Sequence, residues 1–337
     1  MKYFAPLFLC CAVILGACKS VKNGADGEAT SNVAALDSTR ICKIQFNADS
    51  AFAFVKAQCD FGPRVPNSTA IDRCGDYIAQ TFESYGLSVE NQRTVVKGWD
   101  GKDLRCRNII AAYRPEATTR IIICSHYDSR PWADADADPA NHHSPVMAAN
   151  DGASGVAVML ELARLMKDLN PKVGVDFICF DAEDYGVPDW ADDAAQQQSG
   201  DSWCLGSQYW AQNLQKKGYA RYGILLDMVG GKDATFCFEG FSMRYAKDVV
   251  LKTWAAARYA DAGHLFVQRD GSYITDDHVP MNEVGCIPTI DIIPFDQNGT
   301  NSFCPTWHTV NDTPENIDPQ VLRGVGQTLL QLLSEEE

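Results

Sequence analysis

Apolar positions along this chain group into two kinds of run. Short β-rich stretches predict strands over 105–113, 120–125, 173–180, 222–229 and 286–293, too short for helices and dense in branched and aromatic side chains. Between them, apolar residues return at three- and four-residue spacing over 68–85, 154–169, 207–217, 244–258 and 314–333, the period of a helix with one buried face. Strands alternating with helices imply an α/β fold: one domain with a central mixed, mostly parallel β-sheet flanked by helices on both faces. Ligands in such sheets bind beyond the strand ends, where loops open a crevice. Two loops there, 132–149 and 181–204, exceed ordinary connection lengths, and loops of that length are usually functional or disordered. No internal repeat is visible.

The amino-terminal pattern differs. Lys2 precedes an apolar run from Phe4 to Leu15 that is too short to cross a bilayer and reads as an export signal. It closes on Leu15-Gly16-Ala17-Cys18, which resembles a lipobox, so the expected boundaries are a lipoprotein signal peptide over 1–17, a flexible tether over 18–37 with lipidated Cys18, and one folded domain over 38–337. An ordinary secretory signal with a chance cysteine is the alternative. No acidic pair follows Cys18 at Lys19-Ser20-Val21, so the expected place is the cell envelope, lipid-anchored on the periplasmic side of the outer membrane, with no other membrane contact. A net charge of −15 argues against nucleic acid, whose phosphates require clustered Lys and Arg. Of thirteen cysteines, Cys10 and Cys11 belong to the leader and Cys18 is the expected lipidation site, and others such as Cys124 and Cys179 sit inside apolar runs, where small buried hydrophobes are the default. Their pairing stays open.

Five potential metal ligands fall immediately after predicted strands: His126, Asp151 in Asn-Asp-Gly-Ala-Ser-Gly, Asp184 in Asp-Ala-Glu-Asp, Asp227 in Leu-Leu-Asp, and His308 in Thr-Trp-His-Thr. Mixed carboxylate and imidazole ligands suit zinc, and a catalytic zinc takes about three protein ligands plus an open position. Each residue alone has a plain structural reading: Asp151 as a helix cap, Asp227 as a turn, the acids near 181–184 as a solvated loop. Together, in this order, they point to a site.

That order resembles the M28 zinc aminopeptidases, over roughly 61–333. The resemblance implies Glu183 as general base, Asp151, Asp184 and His308 as ligands of a primary zinc, and His126 with Asp227 at the position of a second zinc. Asp184 stands where many relatives carry glutamate, one methylene longer. Three features resemble the glutaminyl cyclase branch. The segment Ile274-Thr275-Asp276-Asp277-His278-Val279-Pro280 matches the cyclases' Ile-x-Asp-Asp-His-x-Pro, which places Asp276 in a catalytic acid network and Ile274 at the substrate. Phe303-Cys304-Pro305-Thr306-Trp307-His308 matches Phe-x-x-x-Trp-His, which puts Phe303 and Trp307 on the pocket wall. Trp190 follows the acid pair near the spacing of a third pocket tryptophan, one residue further along than in the animal enzymes. The disulfide of some animal cyclases has no counterpart here, since Cys124 lacks a matching partner.

The resemblance thus implies a glutaminyl-peptide cyclotransferase with one zinc, acting as a monomer on peptides and exported proteins that begin with glutamine. Glu183, Asp227 and Asp276 would be its catalytic acids, while His126 and His278 would support the site or hold a second metal. A di-zinc aminopeptidase and a non-catalytic binding lipoprotein are the alternatives.

Overall fold

The protein, a computed structural model, is described for residues 36–337 apart from 198, 297, 298 and 300–302. The leader and Cys18 lie outside the described residues. No described helix is long and apolar enough to cross a membrane. In chain order the elements are α1 (Ala48–Cys59), α2 (Thr69–Ser84), β1 (Ser88–Lys97), β2 (Asp103–Tyr113), β3 (Arg120–His126), α3 (Ala153–Leu169), β4 (Gly174–Phe180), α4 (Asp193–Gln197), α5 (Leu205–Gln212), β5 (Tyr222–Leu226), β6 (Phe236–Phe238), α6 (Gly240–Tyr245), α7 (Lys247–Tyr259), β7 (Phe266–Asp270), α8 (His278–Glu283), β8 (Thr289–Ile292) and α9 (Pro319–Ser334).

Six strands form one sheet in the order β1-β2-β4-β3-β5-β8. β1, β2 and β4 pair antiparallel, and β4, β3, β5 and β8 run parallel. The sheet is mixed, as the sequence pattern implies. Alternate residues of β3 feed two cores: Ile121 and Ile123 face α1, α2, α3, α7 and α9, whereas Ile122 and Cys124 pack with Trp210 of α5 and Met281 of α8. Burial on both faces is why β3 and β4 are dominated by apolar residues with no alternation, the acid inside β4, Asp176, being paired with Arg120 of β3. Helix α3 lies close on the sheet because residue 155 is glycine; a Cβ there would collide with the Leu226 carbonyl and the Ser125 side chain.

Several boundaries differ from the sequence pattern. The helix expected over 244–258 breaks at Ala246, whose φ of −142° ends α6 and starts α7. β5 stops at Leu226 because Met228 adopts φ 52° and turns the chain away. α9 begins only after Asp318, whose side chain caps Gln320 N–H, with Pro319 in the first turn where no amide is needed. Beyond α9, the buried Glu336 carboxylate accepts hydrogen bonds from Tyr222 Oη at 2.6 Å and Arg221 Nη1 at 2.8 Å, and pairs with Lys252. The ten described cysteines carry thiols, all but Cys286 buried.

Candidate metal centre and substrate pocket

Three of the five candidate ligands sit where the pattern places them. His126 ends β3, Asp227 follows β5 directly, and Asp184 lies in the loop leaving β4. Asp151 instead precedes α3, and His308 lies in the long segment between β8 and α9, so the expectation that all five follow strands directly is corrected for these two. Asp151 does not cap α3 either: Gly152 is the N-cap and makes no side-chain bond. The loop is held from outside, because Asp312 accepts the amides of Asn150 at 2.8 Å and Asp151 at 3.1 Å.

The five side chains converge as two groups that share Asp151: His126 with Asp151 and Asp227, and Asp151 with Asp184 and His308. His126 Nε2 lies 2.9 Å from Asp151 Oδ1 and 3.3 Å from Asp227 Oδ1. His308 Nε2 faces Asp184 Oδ1 at 3.1 Å and Asp151 Oδ2 at 3.6 Å. Asp184 Oδ2 is buried with no hydrogen-bond donor. Buried carboxylates this close repel one another unless a cation or protons intervene, so the donor set fits a zinc ion on chemical grounds.

Electrostatics follow from that crowding. Burial pushes the Glu183 carboxyl well above the usual range, and Asp184 and Asp276 add repulsion that His126 only partly offsets. Burial and Asp151 raise Asp227 to about 7. Burial opposes protonation of His126, but Asp128, Asp151 and Asp227 prevail and hold its pKa well above the usual imidazole value. Asp276 is also raised well above the usual range, by burial first and then Asp227.

Glu183, Cys204 and Asp276 bring ligand atoms within 4.8 Å of one another. The Cys204 thiol, kept protonated by burial, lies 3.4 Å from Glu183 Oε1 as a donor. Asp276 does not cap α8 with its side chain; Asp277 is the N-cap residue.

The two groups open into a cavity of about 450 Å³ whose floor carries Asp151, Glu183, Asp184, Asp227 and Asp276 and whose wall carries Trp203, Ile274, Phe303, Trp307 and His308. Trp307 stacks on His308 at 3.8 Å, and Phe303 packs on Trp307 at 4.9 Å. Trp190 does not line the cavity. It is 41% exposed and packs on His143 at 4.5 Å and Trp132 at 5.9 Å. The tryptophan that joins Trp307 on the wall is Trp203, lying parallel to His308 at 6.0 Å in the segment just before α5. His278 belongs to neither ligand group; it is buried with Nε2 3.1 Å from Glu239 Oε2.

Sequence reasoning also passed over Asp128. Its carboxylate accepts the amides of Glu183 and Asp184, each at 3.1 Å, and lies 3.4 Å from His126 Nδ1, so it ties the acid pair to the end of β3. Its place two residues after His126 was the available signal. Left-handed backbone at Ala148, Ala182, Cys204, Met228 and His308 borders every arm of the site. Such conformations cost about 1–3 kcal/mol each in non-glycine residues and cluster where geometry is dictated by function.

The profile of Peptidase family M28 matches residues 108–333. This chain belongs to peptidase family M28. Among M28-like structures, a glutaminyl cyclase of Bacteroides thetaiotaomicron bound to N-acetylhistamine is 48% identical, with a TM-score of 0.84 over 87% of this chain and 99% of that one. A protein of the same organism described as a leucine aminopeptidase precursor is also 48% identical, with a TM-score of 0.83 over 88% and 100% of the two chains. The glutaminyl-peptide cyclotransferase of Drosophila melanogaster is 26% identical over 76% of this chain and 72% of its own length.

Proposed function

We propose that this M28 protein is a zinc-dependent glutaminyl-peptide cyclotransferase, converting N-terminal glutamine of peptides to pyroglutamate with release of ammonia. The observation that carries this reading is the pairing of Glu183 with Asp276 on the floor of an aromatic-walled cavity, next to the Asp151, Asp184 and His308 group. The likeness to solved bacterial glutaminyl cyclases supports it.

Cyclisation joins the α-nitrogen to the side-chain carboxamide carbon, Cδ, and breaks the bond from that carbon to the amide nitrogen. One proton must travel from the α-amine to the departing ammonia. Asp151, Asp184 and His308 would hold the zinc, which would supply a Lewis acid for the side-chain carbonyl oxygen. Glu183, whose raised pKa suits both accepting and returning a proton, carries it. Asp227 and Asp276 hold the α-amine and the amide nitrogen. Because the nucleophile belongs to the substrate, the Phe303, Trp307 and Trp203 wall can exclude water without loss.

A di-zinc aminopeptidase is the second reading, favoured by the His126, Asp151 and Asp227 group and by the leucine aminopeptidase-like neighbour. Incubation with a Gln-peptide and an Ala-peptide separates the two. Ammonia from the first and no free amino acid from the second supports the cyclase, and released alanine overturns it. The natural setting we propose is the cell envelope, through lipidated Cys18, with the enzyme acting as a monomer on exported proteins. Failure of a Cys18→Ser variant to lose radiolabelled palmitate would remove that anchor.

A further inference from the structure

Arg130 is 1% exposed, and a buried guanidinium is tolerable only when its charge and its five N–H groups are met. Its fork grips Asp134 with both arms, Nε to Oδ1 at 2.7 Å and Nη2 to Oδ2. Nη1 donates to the Asp184 carbonyl at 3.2 Å and reaches Asp184 Oδ1 at 3.5 Å. The guanidinium carbon sits over the Trp203 ring, 4.6 Å from its centroid.

Asp134 in turn faces His308. Its Oδ1 lies 3.6 Å from His308 Nδ1, and the next residue, Ala135, donates its amide to the His308 carbonyl at 3.2 Å. His308 has φ 52°, a left-handed conformation uncommon outside glycine. Since Nε2 is the nitrogen turned toward Asp151 and Asp184, Nδ1 is the outer nitrogen, and a carboxylate there fixes which nitrogen keeps its proton. One ion pair therefore touches both Asp184 and His308, from the side away from the cavity.

We propose that Asp134, clamped by Arg130, is a positioning residue that orients His308 and Asp184 and so sets the metal affinity of the Asp151, Asp184 and His308 group. This rests on the reading that the group holds zinc. The short-range sequence Arg130-Pro131-Trp132-Ala133-Asp134 carries the brace directly behind His126 and Asp128, so one segment supports both ligand groups.

The test is zinc affinity, measured on metal-free full-length protein by competition between Zn²⁺ and a chelator, for the wild type, Asp134→Asn, Arg130→Lys, Glu239→Gln and His308→Ala. Loss of an outer partner of a ligating histidine weakens metal binding by roughly 10- to 100-fold. That loss is expected in Asp134→Asn and Arg130→Lys, together with a shifted visible spectrum of the Co²⁺-loaded forms, which a purely structural role would not move. Glu239→Gln alters a buried partner of His278 that belongs to neither ligand group and is expected to lower Tm with zinc affinity unchanged. Wild-type affinity and Co²⁺ spectrum in both Asp134→Asn and Arg130→Lys, or an equal loss in Glu239→Gln, would overturn the brace while leaving the zinc site intact. Unchanged affinity in His308→Ala would instead overturn the zinc site itself.

Discussion

The Asp151 carboxylate meets His126 through one oxygen, at 2.9 Å from Nε2, while its other oxygen turns to the His308 side. On the cyclase reading the nucleophile belongs to the substrate and one zinc suffices, so His126 is expected to support the site rather than hold an essential ion. Fully active protein should titrate to one zinc per chain, His126→Ala should retain that zinc, and His308→Ala should lose most of it. Two essential zincs by elemental analysis would favour the aminopeptidase.

Glu183→Gln preserves shape but removes the proton carrier. A fall in kcat of roughly 10²-fold or more is expected, the usual scale for an acid–base residue, with zinc content unchanged. Cyclisation of Gln-peptides at near the wild-type rate would reduce Glu183 to a structural acid.

Trp203 and Trp190 should separate kinetically. Trp203 lines the cavity parallel to His308, whereas Trp190 packs among exposed rings away from it. Removal of an aromatic contact costs about 0.5–1.5 kcal/mol beyond buried area, so Trp203→Ala should raise KM for Gln-peptides by roughly 2- to 10-fold. Trp190→Ala should leave it unchanged. Equal effects in steady-state kinetics would put Trp190 back at the substrate.

Much of this arrangement is legible in the chain. Strands buried on both faces announce themselves as largely apolar runs without alternation, and polar residues at their ends, such as Asp227 between Leu226 and Met228, stand out against apolar neighbours. Strand β1 is hidden for the opposite reason: as an edge strand with no fully buried residue, Ser88–Lys97 carries polar residues that no core demands. Trp203 is hidden because it re-enters the cavity from an irregular loop, where no periodicity fixes which side chain points inward. Asp128 and Asp134 act on ligands rather than as ligands, and only tertiary contact gives them meaning.

The Glu239 and His278 pair gives a pH signature away from the site. Burial opposes ionisation of Glu239, but hydrogen bonds from His278 and Ser242 outweigh it and hold its pKa at about 2. A carboxyl depressed in the folded state contributes its stability above its unfolded pKa of about 4.5, and that contribution is lost as pH falls from there toward 2. The loss is of the order of 3 kcal/mol over that window. Urea titrations between pH 5 and pH 2, taken as approximate limits of this linkage, should show a steeper decline for the wild type than for Glu239→Gln. Parallel curves would show that the pair stores no such energy.

Strand β5 is held at both ends by carboxylates of different purpose. Asp227 stands at the site, and roughly 16 Å away, at the strand's rise per residue, Tyr222 is pinned by Glu336. Glu336 thus anchors the strand that delivers an acid of the candidate site. Glu336→Gln, which alters no group of that site, would loosen that mooring and leave an enzyme whose chemistry is whole but whose aim has drifted.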